Sequence, residues 1–445
     1  MQHIFKKTLL VSALSLAIAP AAYATNGLAP TGLGQVHKAM GGAAVGNPQN
    51  TTTIMTNPAA ASFVESGFDV GAEIFKPNRT AKNNMDFAAG DFELFTANPP
   101  GTTTAGTSYS GDKASAFLIP EAAYVRNNGS LAFGIAVYGN GGMNTSFEKS
   151  PAFAADANQN QAPDSVFNFN STATGPVGTT GIDLKQIFIS PTISKKINAN
   201  HSVGLSINLV AQQFQAKGLS ALSAGSSTPG KFTDQGKSNA TGIGATLGWM
   251  GKINNKVTMG ASYRFKTKMG KFKKYAGLFP DQGRMNVPAA LTVGMSAKVS
   301  PKTTIAADIQ QIYYSKTHAV GNSSQLAPGQ RFGDTNGPGF GWEDQTVIKI
   351  GVKHQKSPRL ALMAGYNHGD SPIGSEDTFF GVLTPAVVED HLSLGFEYKL
   401  SKKSALVGSY THTFSNEVKG NVALGQQFDI SMDQDAVGIG YSRTF

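Results

Sequence analysis

The chain has 445 residues, 51 glycines, no cysteine and only 15% charged residues, and its formal net charge at pH 7 is +9. The lack of cysteine excludes disulfides, thiolate chemistry and cysteine-ligated metal sites. The positive charges are scattered, without the dense basic tract that is typical of nucleic-acid binding. We therefore predict no cofactor, no metal site and no nucleic-acid partner.

Residues 1–24 have the composition of an export signal. Lys6 and Lys7 give a positive start, residues 9–19 form an apolar core, and Ala-Tyr-Ala at 22–24 is an A-x-A cleavage site. The apolar core is too short to span a bilayer as a helix, and no other stretch approaches the ~18 apolar residues that a spanning helix needs. We predict that these residues are a signal peptide and that the protein is exported.

Residues 25–65 lack the alternation that fills the rest of the chain, and they are rich in Gly, Ala, Pro and Asn. Asn57 is a suitable helix N-cap, and Pro58 suits the first helical position because its missing N–H would be unpaired there anyway. Apolar residues are too frequent in this segment for a flexible linker. We predict a compact, partly helical plug with a barrel closed around it.

Alternation with a period of two dominates from residue 66 onward. Leu131, Phe133 and Ile135, for example, alternate with small residues, which is the pattern of a strand with one apolar face. The pattern predicts fourteen strands, at 66–80, 113–126, 130–140, 181–197, 201–217, 239–252, 256–270, 284–299, 303–317, 344–356, 359–369, 389–400, 404–416 and 434–445.

The connections between these strands alternate strictly in length. Tight turns such as 127–129 and 300–302 alternate with long connections such as 141–180 and 318–343. This is typical of an outer-membrane barrel, which has short periplasmic turns and long outer loops. The last strand ends on Phe445, which looks like the signal read by the outer-membrane assembly machinery.

The prediction for the whole chain is an all-β fold, a 14-stranded antiparallel transmembrane β-barrel with a small N-terminal plug. Residues 1–24 form the signal peptide, residues 25–65 the hatch, and residues 66–445 the barrel of a multi-pass outer-membrane protein. We predict a monomer whose partners are outer-membrane lipid, the barrel assembly machinery and a hydrophobic small-molecule ligand.

In these features the mature chain resembles, over essentially its whole length, the FadL family of outer-membrane transporters of long-chain fatty acids and other hydrophobic compounds. The resemblance rests on the strand count and on the run Tyr366…Ser371-Pro372-Ile373 after the eleventh strand. It also rests on a hatch motif that comprises Met40, Gly41, Gly42, Asn57, Pro58 and Ala59. Family membership implies an N-terminal hatch domain inside a 14-stranded barrel.

The resemblance also implies a passive mechanism that needs neither ATP nor a catalytic residue. Ligand would enter an apolar groove formed by the long loops and reach a lumen pocket beside the N-terminus. It would then leave sideways through the wall, where the third strand kinks. The corresponding residues here are Gly139, Asn140, Gly141 and Gly142. The alternative is that these glycines merely begin the loop at 141–180.

Basic side chains on the inward faces of strands are candidates for binding the carboxylate of a fatty acid. They are Lys185, Arg264, Lys266, Lys349 and Lys353. A cation in a low-dielectric lumen attracts a carboxylate strongly. The alternative is that these cations form salt bridges with inward acids and close the lumen, and the candidate acids are Asp69, Glu73, Asp308 and Glu397.

Other functions remain as alternatives. Outer-membrane phospholipases are barrels, but this chain has no G-x-S-x-G elbow and its histidines are scattered, so we predict no enzyme. A general porin would not need a plug. Alkanes and aromatic hydrocarbons suit an apolar path as well as fatty acids do. Aromatic residues in the long connections would either collect ligand in a groove or pack the loops; they are Phe153, Phe167, Phe169, Tyr275 and Phe279.

Overall fold

The computed structural model describes residues 25–84, 106, 108–112, 115–147, 179–422 and 427–445. The predicted signal peptide and the loop residues Phe153, Phe167 and Phe169 lie outside the described residues.

Fourteen long strands form one antiparallel sheet in the described part of the chain. They are β1 (Gly67–Asn83), β2 (Phe117–Asn127), β3 (Leu131–Asn144), β4 (Gly181–Lys196), β5 (His201–Lys217), β6 (Ser238–Lys252), β7 (Val257–Arg264), β8 (Ala290–Ser300), β9 (Thr303–Ile312), β10 (Gln345–Gln355), β11 (Leu360–Gly369), β12 (Asp390–Lys399), β13 (Ser404–Val418) and β14 (Phe428–Thr444). Each strand pairs with the next, and β14 pairs with β1 along its whole length, so the sheet closes into a barrel. The predicted fold class is confirmed.

The wall of the barrel has two faces of opposite character. On β10, Ile348 and Ile350 point outward and are about half exposed, whereas Lys349 between them points inward and is only 5% exposed. Large apolar side chains are exposed in the same way on the other strands. An outward apolar band around a polar interior is the arrangement that a barrel needs in lipid.

Two short strands and several short helices accompany the barrel. The short strands are Ser108–Ser110, which pairs with β1, and Lys268–Met269, which pairs with β6. The helical turns of the long connections are Ser220–Gly225, Pro229–Lys231, Lys273–Tyr275, Pro280–Gly283, Tyr314–Lys316, His318–Gly321, Ser375–Asp377 and Thr378–Gly381. None of the helices in the described part of the chain is long and apolar enough to cross a membrane.

Several strand boundaries differ from the predicted ones; β8, for example, begins at Ala290 rather than 284, and β9 ends at Ile312 rather than 317. β3 continues through the glycine run to Asn144, because a bulge absorbs the break in alternation. β14 begins at Phe428, six residues before the predicted start at 434. β7 ends at Arg264, because Thr267 bridges Val287 instead and the following residues return to β6.

Residues 25–65, hereafter the N-terminal segment, form the helix α1 (Gln35–Lys38) and two 3-10 helices, Thr51–Met55 and Pro58–Ser62. Asn57 caps the last of these as the sequence predicts, since its side chain accepts a hydrogen bond from the backbone N–H of Ala59. Pro58 occupies the first helical position. Most of the segment is buried.

The N-terminal segment bonds to strands all round the barrel. The carboxylate of Glu121 on β2 accepts from the N–H of Gly34 (3.1 Å), and Ser409 on β13 donates to Gln35 (2.6 Å). Further wall residues that bond to the segment are Asp69, Glu73, Ser194, Ser202, Trp249, Ser296, Asp308, Lys353 and Asn367. A segment held by ten strands of a closed sheet lies inside it.

The long-loop end of the barrel is filled by a buried aromatic cluster, hereafter the aromatic cap. It comprises Phe147, Phe214, Phe232, Phe272, Tyr275, Phe279, Tyr314, Phe332, Phe340, Trp342, Phe379, Phe380 and Phe428. The ring centroids of Phe214 and Phe279 lie 4.8 Å apart, and those of Phe214 and Tyr275 lie 4.9 Å apart. Tyr275 and Phe279 are therefore buried by loop packing, and Leu28 of the N-terminal segment joins the same cluster.

Candidate functional site

A small polar cavity lies in the lumen beside the N-terminal segment. Its walls include Asn140 on β3, Arg264 on β7, Asp308 on β9 and Lys349 on β10, and Leu33 of the N-terminal segment also lines it. Its volume is about 50 Å³. A dry cavity that holds benzene measures roughly 150 Å³. With the N-terminal segment in this position, the cavity is therefore too small for a ligand the size of benzene.

Asp308 fastens the N-terminal segment to the wall of this cavity. One carboxylate oxygen accepts from the backbone N–H groups of Ala44 (2.7 Å) and Val45 (2.9 Å). The other oxygen is buried and has no hydrogen-bond partner among the described residues. Hydrogen bonds to a charged acceptor are stronger than those between neutral groups, so Asp308 stabilises this position of the segment against the wall.

Two cations face the same cavity, and neither forms a salt bridge among the described residues. Lys349 is the ladder partner of Asp308 on the neighbouring strand, yet within the described residues no acidic oxygen lies within 4.0 Å of its ammonium group. Arg264 donates from Nη1 to the side-chain oxygen of Asn140 (3.1 Å), and its Nε has no partner in the described part of the chain. The cavity wall thus carries two cations and one carboxylate, and that carboxylate already serves the backbone of the segment.

The other three predicted carboxylate ligands are placed differently. Lys185 pairs with Asp183 on its own strand (3.1 Å), and Lys353 pairs with Glu397 (2.9 Å). These two fit the salt-bridge alternative. Lys266 follows the end of β7, is exposed and donates to a loop carbonyl, so its predicted inward orientation is not what the structure shows. Of the five candidates, only Arg264 and Lys349 meet at one cavity.

The glycine run in β3 forms an inward kink. The ladder with β4 shifts register between Gly139 and Gly142, which is a bulge. Gly141 has φ +130°, and a Cβ on it would overlap the carbonyl of Leu28 in the N-terminal segment. The run lies within the strand, since β3 pairs with β4 as far as Asn144. The kink therefore belongs to the wall and does not merely begin the loop.

The wall on the other side of this kink lacks a strand ladder, although Arg79 on β1 donates to the side chain of Asn144 across it (3.0 Å). The ladder between β2 and β3 stops at Glu121 and Tyr138. Beyond it, residues 117–120 of β2 pair only with β1, and residues 139–144 of β3 pair only with β4, as far as the described residues go. We call this interruption the β2–β3 seam. It runs toward the long-loop end of the barrel and borders Asn140 of the lumen cavity.

The hatch motif packs its backbone against glycines in the wall, which sequence analysis did not anticipate. Gly41 and Gly42 have φ +66° and +86° and turn the chain after α1. Gly41 then lies so close to Gly365 on β11 that a Cβ at Gly365 would overlap its backbone nitrogen. The sequence does contain an indication of this packing, because several inward positions of the strands are glycine. Four of these glycines that contact the segment are Gly204, Gly248, Gly260 and Gly351.

We predict that Asn57→Ala reduces transport more than it reduces the stability of the barrel. The side chain of Asn57 caps a helix and donates to the carbonyls of Val45 (2.8 Å) and Trp249 (2.9 Å), so it joins the segment to the wall. Loss of the cap alone costs about 1 kcal/mol, whereas the strand ladders are untouched. Ligand uptake per surface-expressed molecule is the measurement, and unheated gel migration reports the folded barrel. Normal uptake would contradict the prediction.

These features together define a class of protein, a closed transmembrane β-barrel with an apolar exterior and with its own N-terminal segment packed against the inner face of the wall. Residues 150–445 match the family described as outer membrane protein transport protein (OMPP1/FadL/TodX). The chain belongs to this family and is a protein of the bacterial outer membrane.

Solved structures share the fold. The P. putida toluene transporter TodX is 17% identical, with a TM-score of 0.63, and the match covers 93% of this chain and 99% of that one. A Pseudomonas aeruginosa FadL homologue is 14% identical, with a TM-score of 0.65 and coverage of 94% and 99%. The Ralstonia pickettii toluene transporter TbuX is 15% identical, with a TM-score of 0.58 and coverage of 93% and 99%. No curated protein matches the chain.

Proposed function

We propose that the protein takes up long-chain fatty acids or related hydrophobic compounds from outside, passively, through a plugged barrel with lateral exit through its wall. Transport in this family supports the class of function. The aromatic cap supports a hydrophobic cargo, because a cargo that displaced its buried rings would meet apolar side chains between the long loops and Leu28 of the N-terminal segment. We expect no chemical conversion of the cargo.

The observation that carries the fatty-acid proposal is the placement of Arg264 and Lys349 at one lumen cavity that holds a single carboxylate, with which neither forms a salt bridge. Removal of a cation from water is unfavourable unless an anion compensates it. The carboxylate of Asp308 compensates part of this charge, but its bonded oxygen is directed to Ala44 and Val45. A cargo carboxylate would supply the missing anion while its acyl chain remained in apolar surroundings.

Aromatic hydrocarbons are the second candidate cargo. Two of the solved structures with this fold are toluene transporters, and rings stack well on aromatic side chains such as those of the cap. A neutral hydrocarbon would leave Arg264 and Lys349 without a role in binding. Alkanes share this property, and a general porin would not need the occluding segment.

The proposed exit is the β2–β3 seam. The seam borders the cavity at Asn140, and the kink beside it contacts Leu28 of the N-terminal segment. A displacement of the segment from Gly141 would therefore connect the lumen with the lipid around the barrel. Apolar cargo gains by leaving into lipid, since each buried CH₂ contributes about 0.8 kcal/mol, and exit into water would forfeit this gain.

The experiment that tests the cargo is the substitution Lys349→Gln, alone and with Arg264→Gln. A hydrogen bond between charged groups contributes about 1.5–3 kcal/mol, so the affinity for oleate should fall about tenfold to a hundredfold. Binding of toluene should not change. Direct binding of each ligand to the purified protein in detergent is the measurement.

Lys353→Gln is the matched control for the loss of a lysine charge, because Lys353 lies on the same face of β10 but outside the cavity lining, where it bonds to Glu397 and to Gln49 of the N-terminal segment. It should leave oleate binding unchanged. Equal losses for oleate and toluene would show that Lys349 is structural, and normal oleate binding by the double variant would contradict the carboxylate proposal.

A further inference from the structure

A second site lies outside the lumen, in a cleft between the connection that follows β7 and the connection that precedes β10. The cleft has a volume of about 620 Å³. It is lined by Lys266, Lys268, Lys271, Asp281, Gln282, Arg284, Asn286, Gly333, Asp334 and Thr335. We call it the basic cleft. Nothing in the transport path described above uses it.

The local sequence explains why so many cations face this cleft. From 266 to 275, exposed lysines alternate with buried residues such as Met269, Phe272 and Tyr275, and two of these belong to the aromatic cap. The apolar side chains anchor the segment in the loop core, so the lysines between them are directed to the surface. Burial of the rings thus fixes the position of the charges.

Three of the four cations of the basic cleft donate to neutral oxygens rather than to acids. Lys266 donates to the carbonyl of Lys316 (3.1 Å), Lys271 donates to the side chain of Gln282 (2.8 Å), and Arg284 donates to the carbonyl of Met269. Asp281, the acid nearest in sequence, is paired with His318 instead (2.9 Å). In the described part of the chain, four cations thus line the cleft against two carboxylates, Asp281 and Asp334, so its net charge is positive.

The backbone beside the cleft is strained in a way that shapes it. Asp281 and Gln282 are consecutive non-glycine residues with φ +55° and +59°. Such conformations cost free energy and persist only where the surroundings enforce them. Here the pair Asp281–His318 and the bond between Gln282 and Lys271 hold both residues in place. These contacts fix the shape of the cleft, which is therefore preformed.

The position of Lys268 shows at which level along the barrel axis the cleft lies. Lys268 is the ladder partner of Ile243 on β6, whose side chain points outward and is 69% exposed. Phe265 is exposed nearby, whereas the outward residues of β6 above Ile243 are Thr241 and Asn239. The apolar band of the barrel therefore ends at the level of the cleft, which is where the headgroups of the outer leaflet lie.

We propose that the basic cleft binds a phosphate group of an outer-leaflet glycolipid, with the acyl chains of that lipid lying along the outside of the barrel beside Ile243 and Phe265. Several convergent cations suit a phosphate, which carries more charge than one carboxylate. The cleft itself is walled by polar residues, so the apolar surface for acyl chains is on the exterior of the barrel. A free fatty acid would find no apolar wall inside the cleft.

The test is binding of lipid A to the purified full chain in detergent, measured for the wild type and for the triple variant Lys266→Gln, Lys268→Gln, Lys271→Gln. Each lysine near an anionic lipid surface contributes a factor of about five, so the triple variant should bind about a hundredfold more weakly. Enzymatically dephosphorylated lipid A should bind the wild type as weakly as lipid A binds the variant. Arg284 is left intact because it bonds to the backbone.

The matched control replaces three exposed lysines in the short turns at the opposite end, as Lys256→Gln, Lys302→Gln and Lys402→Gln. It removes the same charge and should leave lipid A binding unchanged. Equal weakening in this control would overturn the proposal. So would binding of inorganic phosphate as tight as that of lipid A, or a loss of oleate binding in the cleft variant with lipid A binding intact, which would make the cleft a cargo-collecting site.

Discussion

Gly365→Leu should turn the occluded barrel into a leaky one. Gly365 faces inward on β11, and the backbone of Met40 and Gly41 lies where its side chain would be. Extra methylenes in a packed interior cost about 1–3 kcal/mol, and the N-terminal segment is held by individual hydrogen bonds, whereas β11 is held by two continuous ladders. The segment therefore moves. We expect a large rise in channel conductance in planar bilayers and sensitivity of cells to hydrophilic antibiotics.

Ala364→Leu is the matched control for this prediction, because Ala364 precedes Gly365 and points to the outside of the barrel. It adds a larger side chain on the lipid side and should leave the conductance low. If Gly365→Leu folded into the membrane with normal low conductance, the segment would not be what occludes the lumen.

A cross-link over the β2–β3 seam should abolish uptake. The chain has no cysteine, so a pair introduced as Pro120→Cys and Gly139→Cys reacts without background. These are the first positions past the last ladder pair, Glu121 and Tyr138. A cleavable bismaleimide spans the seam even where the strands have separated. Uptake should fall to the level of a deletion strain when the link forms and recover when it is cleaved.

The control for the cross-link lies in the same two strands. Tyr124 and Ile135 are ladder partners that both point outward, so Tyr124→Cys with Ile135→Cys places the same link over a closed part of the wall. Uptake should then persist. Full uptake with the seam link shown to be complete would exclude lateral exit and favour a path toward the periplasm.

The barrel could be predicted from sequence because alternation and connection length are local properties of the chain. Leu131, Phe133 and Ile135 show the outward face of β3 without any knowledge of its neighbours. The cap by Asn57 was predictable for the same reason, since a cap depends on the two residues that follow it. The direction of the Lys266 side chain was not predictable, because β7 ends at Arg264. The residues after it pair with Val287 and with β6, which are distant in sequence.

The composition of the lumen cavity likewise depends on contacts between distant residues. The alternation of side chains along the strands places Asp308 and Lys349 inward. It does not predict that Asp308 accepts hydrogen bonds from the backbone N–H groups of Ala44 and Val45. That bond joins residues more than 260 positions apart. That bond engages one oxygen of Asp308, and Lys349 forms no salt bridge with the other among the described residues. Lys353 looks equivalent to Lys349 in sequence but has Glu397 beside it.

Closure of the barrel joins the two ends of the sheet and has a consequence for assembly. β1 and β14 pair along 17 residues, from Gly67 with Thr444 to Asn83 with Phe428. Pairing between such distant residues requires a large loss of chain entropy and is intrinsically slow. The N-terminal segment precedes β1 and bonds to ten strands, so we expect it to be in place before this junction forms. A barrel that closed first would have to admit the segment through one of its ends.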